Sequence, residues 1–156
     1  MRVRIIAVGE RMPAWVSEVC ADYLRRLGNQ PKTSLVEIAG GPRRGGGSAL
    51  RAVEIEGERI LAALKPADYL IALDERGKEI STVELARRLG ERMRSGRDLV
   101  FTIGGPDGLA AAVLARSDFT WSLSRLTLPH ALVRVLLTEQ LYRAHTVLSG
   151  HPYHRA

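Results

Sequence analysis

Cysteine is scarce in this 156-residue chain, and a long apolar run is missing. The one cysteine, Cys20, excludes an internal disulfide framework and a zinc site built from several cysteines. Its helical spacing from Val16 and Leu24 predicts an inert core thiol, which fits the reducing cytoplasm. No apolar stretch approaches the roughly 20 residues that a membrane-spanning helix needs. The apolar run of residues 3–8 contains Arg4, so it predicts a first strand rather than a signal peptide.

Two phosphate-binding motifs are also missing. The turn after the first strand reads GERMP where a dinucleotide-binding protein has G-x-G-x-x-G, and no G-x-x-x-x-G-K-[ST] loop occurs. Both hydride transfer and nucleoside triphosphate hydrolysis need the pyrophosphate cradle that such motifs form. A small-molecule enzyme of the ordinary Rossmann type is therefore disfavoured.

Basic residues outnumber acidic ones by 23 to 17, which gives a formal net charge of +6. This excess favours a polyanionic partner such as nucleic acid, bound through phosphate contacts and counterion release. The alternative is a solvated surface of arginines with no such partner. The length fits one domain, residues 1–156, which is long enough to bury a core.

Short buried runs alternate with helical faces along the chain. Strands are expected at residues 3–8, 34–38, 69–73, 99–103 and 119–123, and helices at residues 13–27, 49–64, 83–94, 109–115 and 131–148. This order predicts an α/β fold with a parallel-rich sheet and helices on both faces.

The glycine-rich segment of residues 39–48 predicts a flexible, basic loop without regular structure. Its side chains Arg43 and Arg44 could follow a phosphate backbone, or they could lie on a mobile, solvated loop. The sequence assigns this loop no task.

Two turns at strand ends indicate where a ligand would bind. Residues 104–108, GGPDG, follow the fourth strand, and residues 121–130, WSLSRLTLPH, lead from the fifth strand into the last helix. Ligands of open α/β sheets bind beyond the carboxyl ends of the strands, so these turns and Asp74 predict one crevice. The alternative is that both are ordinary connections.

The sequence resembles the ribosomal RNA large-subunit methyltransferase H family of the SPOUT superfamily over essentially its whole length. The resemblance rests on GGPDG, on the C-terminal WSLSRLTLPHALVRVLLTEQLYRAHTVLSGHPYHRA, and on VGERMPAWV and YLRRL near the N-terminus. It implies a C-terminal trefoil knot, which periodicity cannot reveal. It also implies a homodimer that binds S-adenosylmethionine and methylates N3 of a pseudouridine in 23S ribosomal RNA of the large subunit.

The resemblance also implies which residues hold the cofactor. Glycines would let the backbone approach an adenine or ribose closely, and loop amides and leucine side chains could bind the adenine edge and faces. At Arg125 the backbone, and not the side chain, is expected to contact the cofactor. The implied cofactor-binding residues are Leu73, Gly104, Gly105, Leu123, Ser124, Arg125, Leu126, Thr127 and Leu128.

The C-terminal tail carries the expected catalytic group. His154 is the first candidate to assist loss of the N3 proton, with Tyr153 and Arg155 positioning the nucleotide and its phosphate. The alternative is a frayed terminus. His151 and His154 without a third ligand do not predict a metal site. His130 is expected to begin the last helix and to shape the cofactor loop.

Arg134 and Arg143 on the last helix are expected to reach RNA phosphate or a partner subunit, whereas Leu132 and Leu136 fit a core or a dimer interface. The resulting hypothesis is an S-adenosylmethionine-dependent methyltransferase of large-subunit ribosomal RNA. The alternative from another class is a non-catalytic RNA-binding or ribosome-assembly factor that kept the basic surface.

Overall fold

A computed structural model describes residues 1–43 and 48–155 of the chain. The strands are β1 (Arg2–Val8), β2 (Lys32–Ile38), β3 (Tyr69–Glu79), β4 (Leu99–Ile103) and β5 (Phe119–Ser122). The helices are α1 (Ala14–Leu27), α2 (Ala49–Ala62), α3 (Thr82–Ser95), α4 (Ala111–Arg116) and α5 (His130–Ser149), followed by a 3-10 turn at Pro152–His154. The predicted alternation of strands and helices is confirmed.

The five strands form one sheet in the order β2-β1-β4-β3-β5, and every pairing in it is parallel. Because parallel neighbours cannot be joined by a tight hairpin, each connection crosses a face of the sheet. The carboxyl ends of all five strands therefore lie along the same edge.

Helices cover both faces of the sheet. On one face α1, α3 and α5 pack on side chains such as Ile5 and Phe101. On the other face α2 and α4 pack on side chains such as Ile6 and Val100. Successive strand residues point to opposite faces, which is why Ile5 and Ile6 belong to different cores. The predicted fold class is confirmed.

Cys20 lies inside the core, 1% exposed, and burial raises the pKa of its thiol. The predicted position of this thiol in the core is confirmed, and its inertness stays a prediction. Within residues 1–43 and 48–155, no helix has the length and apolar character that crossing a bilayer requires.

Strand β3 extends beyond its predicted end at residue 73. Its second half pairs with β5 through backbone hydrogen bonds although its side chains are not apolar. The register with β5 shifts between Leu73 and Lys78, and the irregular stretch contains Asp74. A Cβ atom at Gly77 would come within 2.7 Å of the backbone of Thr120, so only glycine allows this close approach. The charged sequence of this half carries no strand periodicity.

Residues 39–43 have no regular secondary structure, as predicted, but contacts with α2 hold them in place. Gly41 lies so close to α2 that a Cβ atom there would be 2.4 Å from the carbonyl oxygen of Ala52. The guanidinium of Arg59 donates to the carbonyl oxygen of Ala39 at 2.8 Å. The expectation of a flexible loop is therefore wrong for residues 39–43, and Arg44 lies outside the described residues.

The side chain of Arg134 is buried, so the expectation that it reaches RNA or a partner is wrong. Its guanidinium donates to the carbonyl oxygen of Gly9 at 2.6 Å, to that of Val8 at 3.3 Å, and to the Glu37 carboxylate at 2.7 Å. Only 2% of the side chain is exposed. Arg134 thus joins α5 to the ends of β1 and β2. Arg143, in turn, pairs with Glu139 of its own helix at 2.7 Å.

Replacing Arg134 with methionine is expected to lower the free energy of unfolding by about 2–4 kcal/mol, because buried carbonyl oxygens lose a charged donor. Glu37→Gln is the matched control. Glutamine at 37 keeps an oxygen that can accept from Arg134, and this end of the pair is 39% exposed, so the loss should be smaller than that of Arg134→Met. Urea unfolding of both variants measures the difference. Equal losses would contradict the role given to the two carbonyl contacts.

Candidate functional site

A crevice of about 890 Å³ opens at the irregular stretch of β3 around Asp74 and beyond the carboxyl ends of β4 and β5. Open α/β sheets bind their ligands at this edge. The lining comes from three segments that are remote in sequence: one lies within β3, one begins at the end of β4, and one leads from β5 into α5. The lining residues are 73–76, 103–109, 121, 123–124, 126–131 and 133.

The turn at residues 104–108 forms one wall of the crevice. Its backbone closes through a hydrogen bond from the Gly108 amide to the Gly105 carbonyl oxygen at 3.1 Å. A Cβ atom at Gly104 would lie 2.7 Å from the Gly108 carbonyl carbon, and one at Gly105 would lie 3.1 Å from a methyl carbon of Val8. Both positions would therefore point a side chain into the protein and not into the crevice.

Because a side chain at either position would point into the protein, the role that the sequence suggested for the two glycines needs correction. The sequence suggested that Gly104 and Gly105 leave room for an adenine or ribose. In the structure the turn itself needs glycine at 104, because the backbone of Gly108 occupies the space of a side chain.

The segment of residues 121–130 forms the opposite wall and is shaped by its own hydroxyl groups. The Ser122 hydroxyl donates to the carbonyl oxygen of Ser124 at 2.7 Å, and the Ser124 hydroxyl accepts from the Leu126 amide at 2.9 Å. Thr127 donates to the Glu75 carboxylate at 2.9 Å, which links this segment to the irregular stretch in the middle of β3. Serine and threonine side chains commonly fix turns in this way.

Eight of the nine residues predicted to bind the cofactor line this one crevice, and Arg125 does not. The position of Arg125 is compatible with the prediction that its side chain has no part in binding. Sequence reasoning placed Asp74 at the crevice but missed Glu75 and Arg76, which are charged and follow the predicted end of the third strand.

Three carboxylates, those of Asp74, Glu75 and Asp107, stand in the lining of the crevice. The Arg76 guanidinium holds the pKa of Asp74 below its usual range by hydrogen bonding, and this effect outweighs the opposing effect of burial. Asp74 is therefore ionised at neutral pH. Negative charge in the lining of a concave site favours a cationic ligand.

His130 begins α5 at the crevice, as predicted, and its imidazole is half buried. Burial lowers the pKa of His130, and the positive charge of Arg134 lowers it further. The carboxylate of Glu56 opposes this shift. His130 is therefore uncharged at neutral pH and able to accept a proton or a hydrogen bond.

The C-terminal tail lies away from the crevice, against α1 and α5. The Tyr153 hydroxyl is 3.2 Å from both the Tyr23 hydroxyl and the Glu139 carboxylate, and its ring packs against that of Tyr142 at an interplanar angle of 59°, with the ring centroids 4.6 Å apart. Burial and these neighbours raise the pKa of Tyr153, so the phenol stays protonated. From Ala131 in the crevice wall to these contacts on α5, the helix rises about 12–17 Å at 1.5 Å per residue.

The structure thus does not bring Tyr153, His154 and Arg155 to the crevice of their own chain. Arg155 is exposed, whereas Nδ1 of His154 is buried and has no hydrogen-bond partner among the described residues. His151 accepts from the Tyr153 amide at 3.2 Å. Across residues 1–43 and 48–155, no three metal-ligating side chains of the His, Cys, Asp or Glu type gather.

Residues 1–154 match a family of proteins described as predicted SPOUT methyltransferases. A protein of Thioalkalivibrio sulfidiphilus (strain HL-EbGR7), named Ribosomal RNA large subunit methyltransferase H, is 52% identical to this chain over 99% of both proteins. A protein of the same name from Alkalilimnicola ehrlichii is 53% identical over 100% of both.

Among solved structures, a probable methyltransferase from Bordetella pertussis Tohama I is similar with a TM-score of 0.59. It is 17% identical, and the match covers 92% of this chain and 93% of that one. An identity this low supports the fold alone.

The lowered pKa of His130 predicts a pH dependence of stability. Below pH 6.5 the unfolded chain protonates His130 before the folded protein does, so folding loses stability as the pH falls. A His130→Gln variant is expected to lose less stability between pH 7.5 and pH 5.5 than the unmodified protein, as measured by urea unfolding. Above pH 7.5 the gap between the two should stay constant. Parallel curves down to pH 5.5 would contradict the assignment.

Proposed function

This chain belongs to the SPOUT methyltransferase family, and on that basis we propose that it methylates N3 of a pseudouridine in 23S ribosomal RNA with S-adenosylmethionine as the methyl donor. The observation that carries the proposal is the crevice, since residues 104–108 and 121–130 meet there with eight of the implied cofactor-binding residues. The ribosomal substrate is supported by the names of the two bacterial relatives. Such a substrate would place the protein in the cytoplasm. The trefoil knot and the single domain of residues 1–156 stay predictions.

The residues present fit the implied cofactor in size and in charge. A volume of about 890 Å³ lies within the ordinary range for ligand pockets. The carboxylates of Asp74, Glu75 and Asp107 suit a ligand with a positively charged sulfonium. Backbone groups and leucines of residues 123–128 are available to an adenine. When bound, the cofactor supplies an electrophilic methyl group, so the protein need only bind, orient and accept a proton.

Leu73, the turn of residues 104–108 and the segment of residues 123–128 would hold the cofactor, which would supply the methyl group for N3, and the N3 proton would have to leave. We assign assistance of that proton loss to His154, and orientation of the nucleotide and its phosphate to Tyr153 and Arg155. A protonated Tyr153 can donate a hydrogen bond but cannot act as the base.

A homodimer would reconcile this assignment with the distance between tail and crevice. The tail of one chain packs about 12–17 Å along α5 from its own crevice wall, so a second copy would supply the tail that completes each site. Helices α1 and α5 also expose apolar side chains that a partner could cover. Trp15 is 50% exposed, Leu132 is 38% exposed and Leu136 is 39% exposed. Oligomers of this kind are commonly two-fold symmetric, which would give two equivalent shared sites.

Transfer of labelled methyl from S-adenosylmethionine tests the function. Whole ribosomes, isolated large subunits and protein-free ribosomal RNA should be compared, and the modified nucleotide mapped. Label at one pseudouridine N3 is the expected result. A folded protein that binds no cofactor and labels none of the three substrates would favour the alternative, a non-catalytic RNA-binding or ribosome-assembly factor.

A complementation experiment tests the shared site. Gly104→Ala is expected to weaken cofactor binding by more than about tenfold, because the turn must open to admit the side chain. Gly90→Ala on α3, where the added atom meets Leu148 at 3.4 Å, is the control and should bind normally. A chain truncated after Pro152 should bind cofactor but not methylate RNA.

Co-expression of the Gly104→Ala chain with the truncated chain should restore about a quarter of the unmodified activity. Half of the dimers would then be mixed, and each mixed dimer would hold one intact crevice with one intact tail from the other protomer. No recovery, with mixed dimers demonstrated by differential tagging, would mean that each tail serves its own chain.

A further inference from the structure

A buried carboxylate lies directly behind the Gly104–Gly108 turn, outside the residues that the sequence singled out. Glu56 of α2 is 2% exposed, and Oε1 of Glu56 would lie 3.4 Å from a Cβ atom at Gly105. The Gly41 amide approaches the same carboxylate at 3.4 Å. A buried carboxylate needs a counter-charge or strong hydrogen bonds to remain ionised.

Arg43 supplies that counter-charge and continues to the turn. Its Nη2 donates to Oε1 of Glu56 at 2.8 Å, while its Nε donates to Oδ2 of Asp107 at 2.9 Å. Its Nη1 also donates to the carbonyl oxygen of Gly41 at 3.2 Å. One planar guanidinium thus joins the residue behind the turn to a residue on its outer side, a geometry that the point charge of a lysine cannot reproduce.

The location of Asp107 gives this link its consequence. Asp107 lies within the turn, between Gly104 and Gly108, and lines the crevice. The turn has few side chains of its own that could hold it, since three of its five residues are glycine and another, Pro106, is proline. An attachment through Asp107 therefore restrains backbone that glycine would otherwise leave free.

We propose that Arg43 is a positioning residue, which holds the Gly104–Gly108 turn in its cofactor-receiving shape by joining Asp107 to the buried Glu56. The inference rests on the proposed function, because it concerns the same crevice. It also gives residues 39–43 a task that the sequence did not assign, namely to brace the cofactor wall. Arg43 itself is not among the crevice-lining residues, so it acts through Asp107.

The test is a double-mutant cycle of Arg43→Lys and Asp107→Asn. Lysine keeps a positive charge for Glu56, so the fold is retained, but it cannot reach both carboxylates in the same way. Calorimetric titration with S-adenosylmethionine measures binding, and hydrogen exchange of the ligand-free protein reports on the amides of residues 104–109. Arg51→Lys is the control, since Arg51 pairs with the exposed carboxylates of Glu54 and Glu58 on the surface of α2.

Arg43→Lys is expected to bind about tenfold more weakly and Asp107→Asn at least as weakly, because asparagine also removes a carboxylate from the crevice. The double variant should bind no more weakly than Asp107→Asn alone, because both changes break the same link. Exchange at residues 104–109 should accelerate in all three, while β1 and the Arg51→Lys control stay unchanged. A double variant that is weaker than Asp107→Asn by the full factor seen for Arg43→Lys would overturn the proposal, since Arg43 would then act independently of Asp107. Unchanged affinity and exchange would overturn it as well.

The failure of the proposed function would look different. If the unmodified, folded protein bound no S-adenosylmethionine, the function proposed above would fall. The exchange measurement would then decide on Arg43 alone, with accelerated exchange supporting its role in holding the turn and unaltered exchange overturning it.

Discussion

Parallel pairing of all five strands is the constraint on which the rest of the structure depends. Parallel strands place their carboxyl ends on one edge and send every connection across a face, so the segments after β4 and β5 meet the irregular stretch of β3 although they are far apart in sequence. The crevice is the space between those segments. Its walls contain little regular structure, because residues 104–108 and 121–130 begin where the strands end. The sheet therefore determines where the site is, and the loops determine its shape.

Irregular walls need restraints that a ladder of backbone hydrogen bonds would otherwise provide. In this protein side chains provide them: Ser122 and Ser124 fix one wall, and Thr127 joins that wall to Glu75. Arg134 fixes the first turns of α5 to the end of β1. All these contacts use short polar side chains or a guanidinium, which form directional bonds that apolar contacts cannot. Apolar packing thus stabilises the sheet and its helices, whereas polar contacts fix the walls of the crevice.

The fold and the position of the crevice could be predicted from the sequence because both follow from periodicity and from strand ends. β4 was predicted with its observed bounds, since four of its five residues are apolar and all five are buried. The second half of β3 could not be predicted, because its pairing depends on the absence of a side chain at Gly77. Burial of Arg134 was equally hidden, since an arginine on a helix reads as exposed until its carbonyl partners are known. The predicted roles of the cofactor and tail residues stay predictions.

The proposed reaction requires a surface that binds a polyanion and a crevice that binds a cation. Both can exist in one protein because ion pairs limit the range over which the crevice carboxylates act. The chain carries a net charge of +6, yet three carboxylates line the crevice. Two of them have a guanidinium partner, Arg76 for Asp74 and Arg43 for Asp107. A paired carboxylate has a short-range field, which decays further over a Debye length of about 10 Å at 0.1 M salt. A ligand inside the crevice would meet these carboxylates at contact distance, whereas an approaching RNA would meet mainly the excess of positive charge.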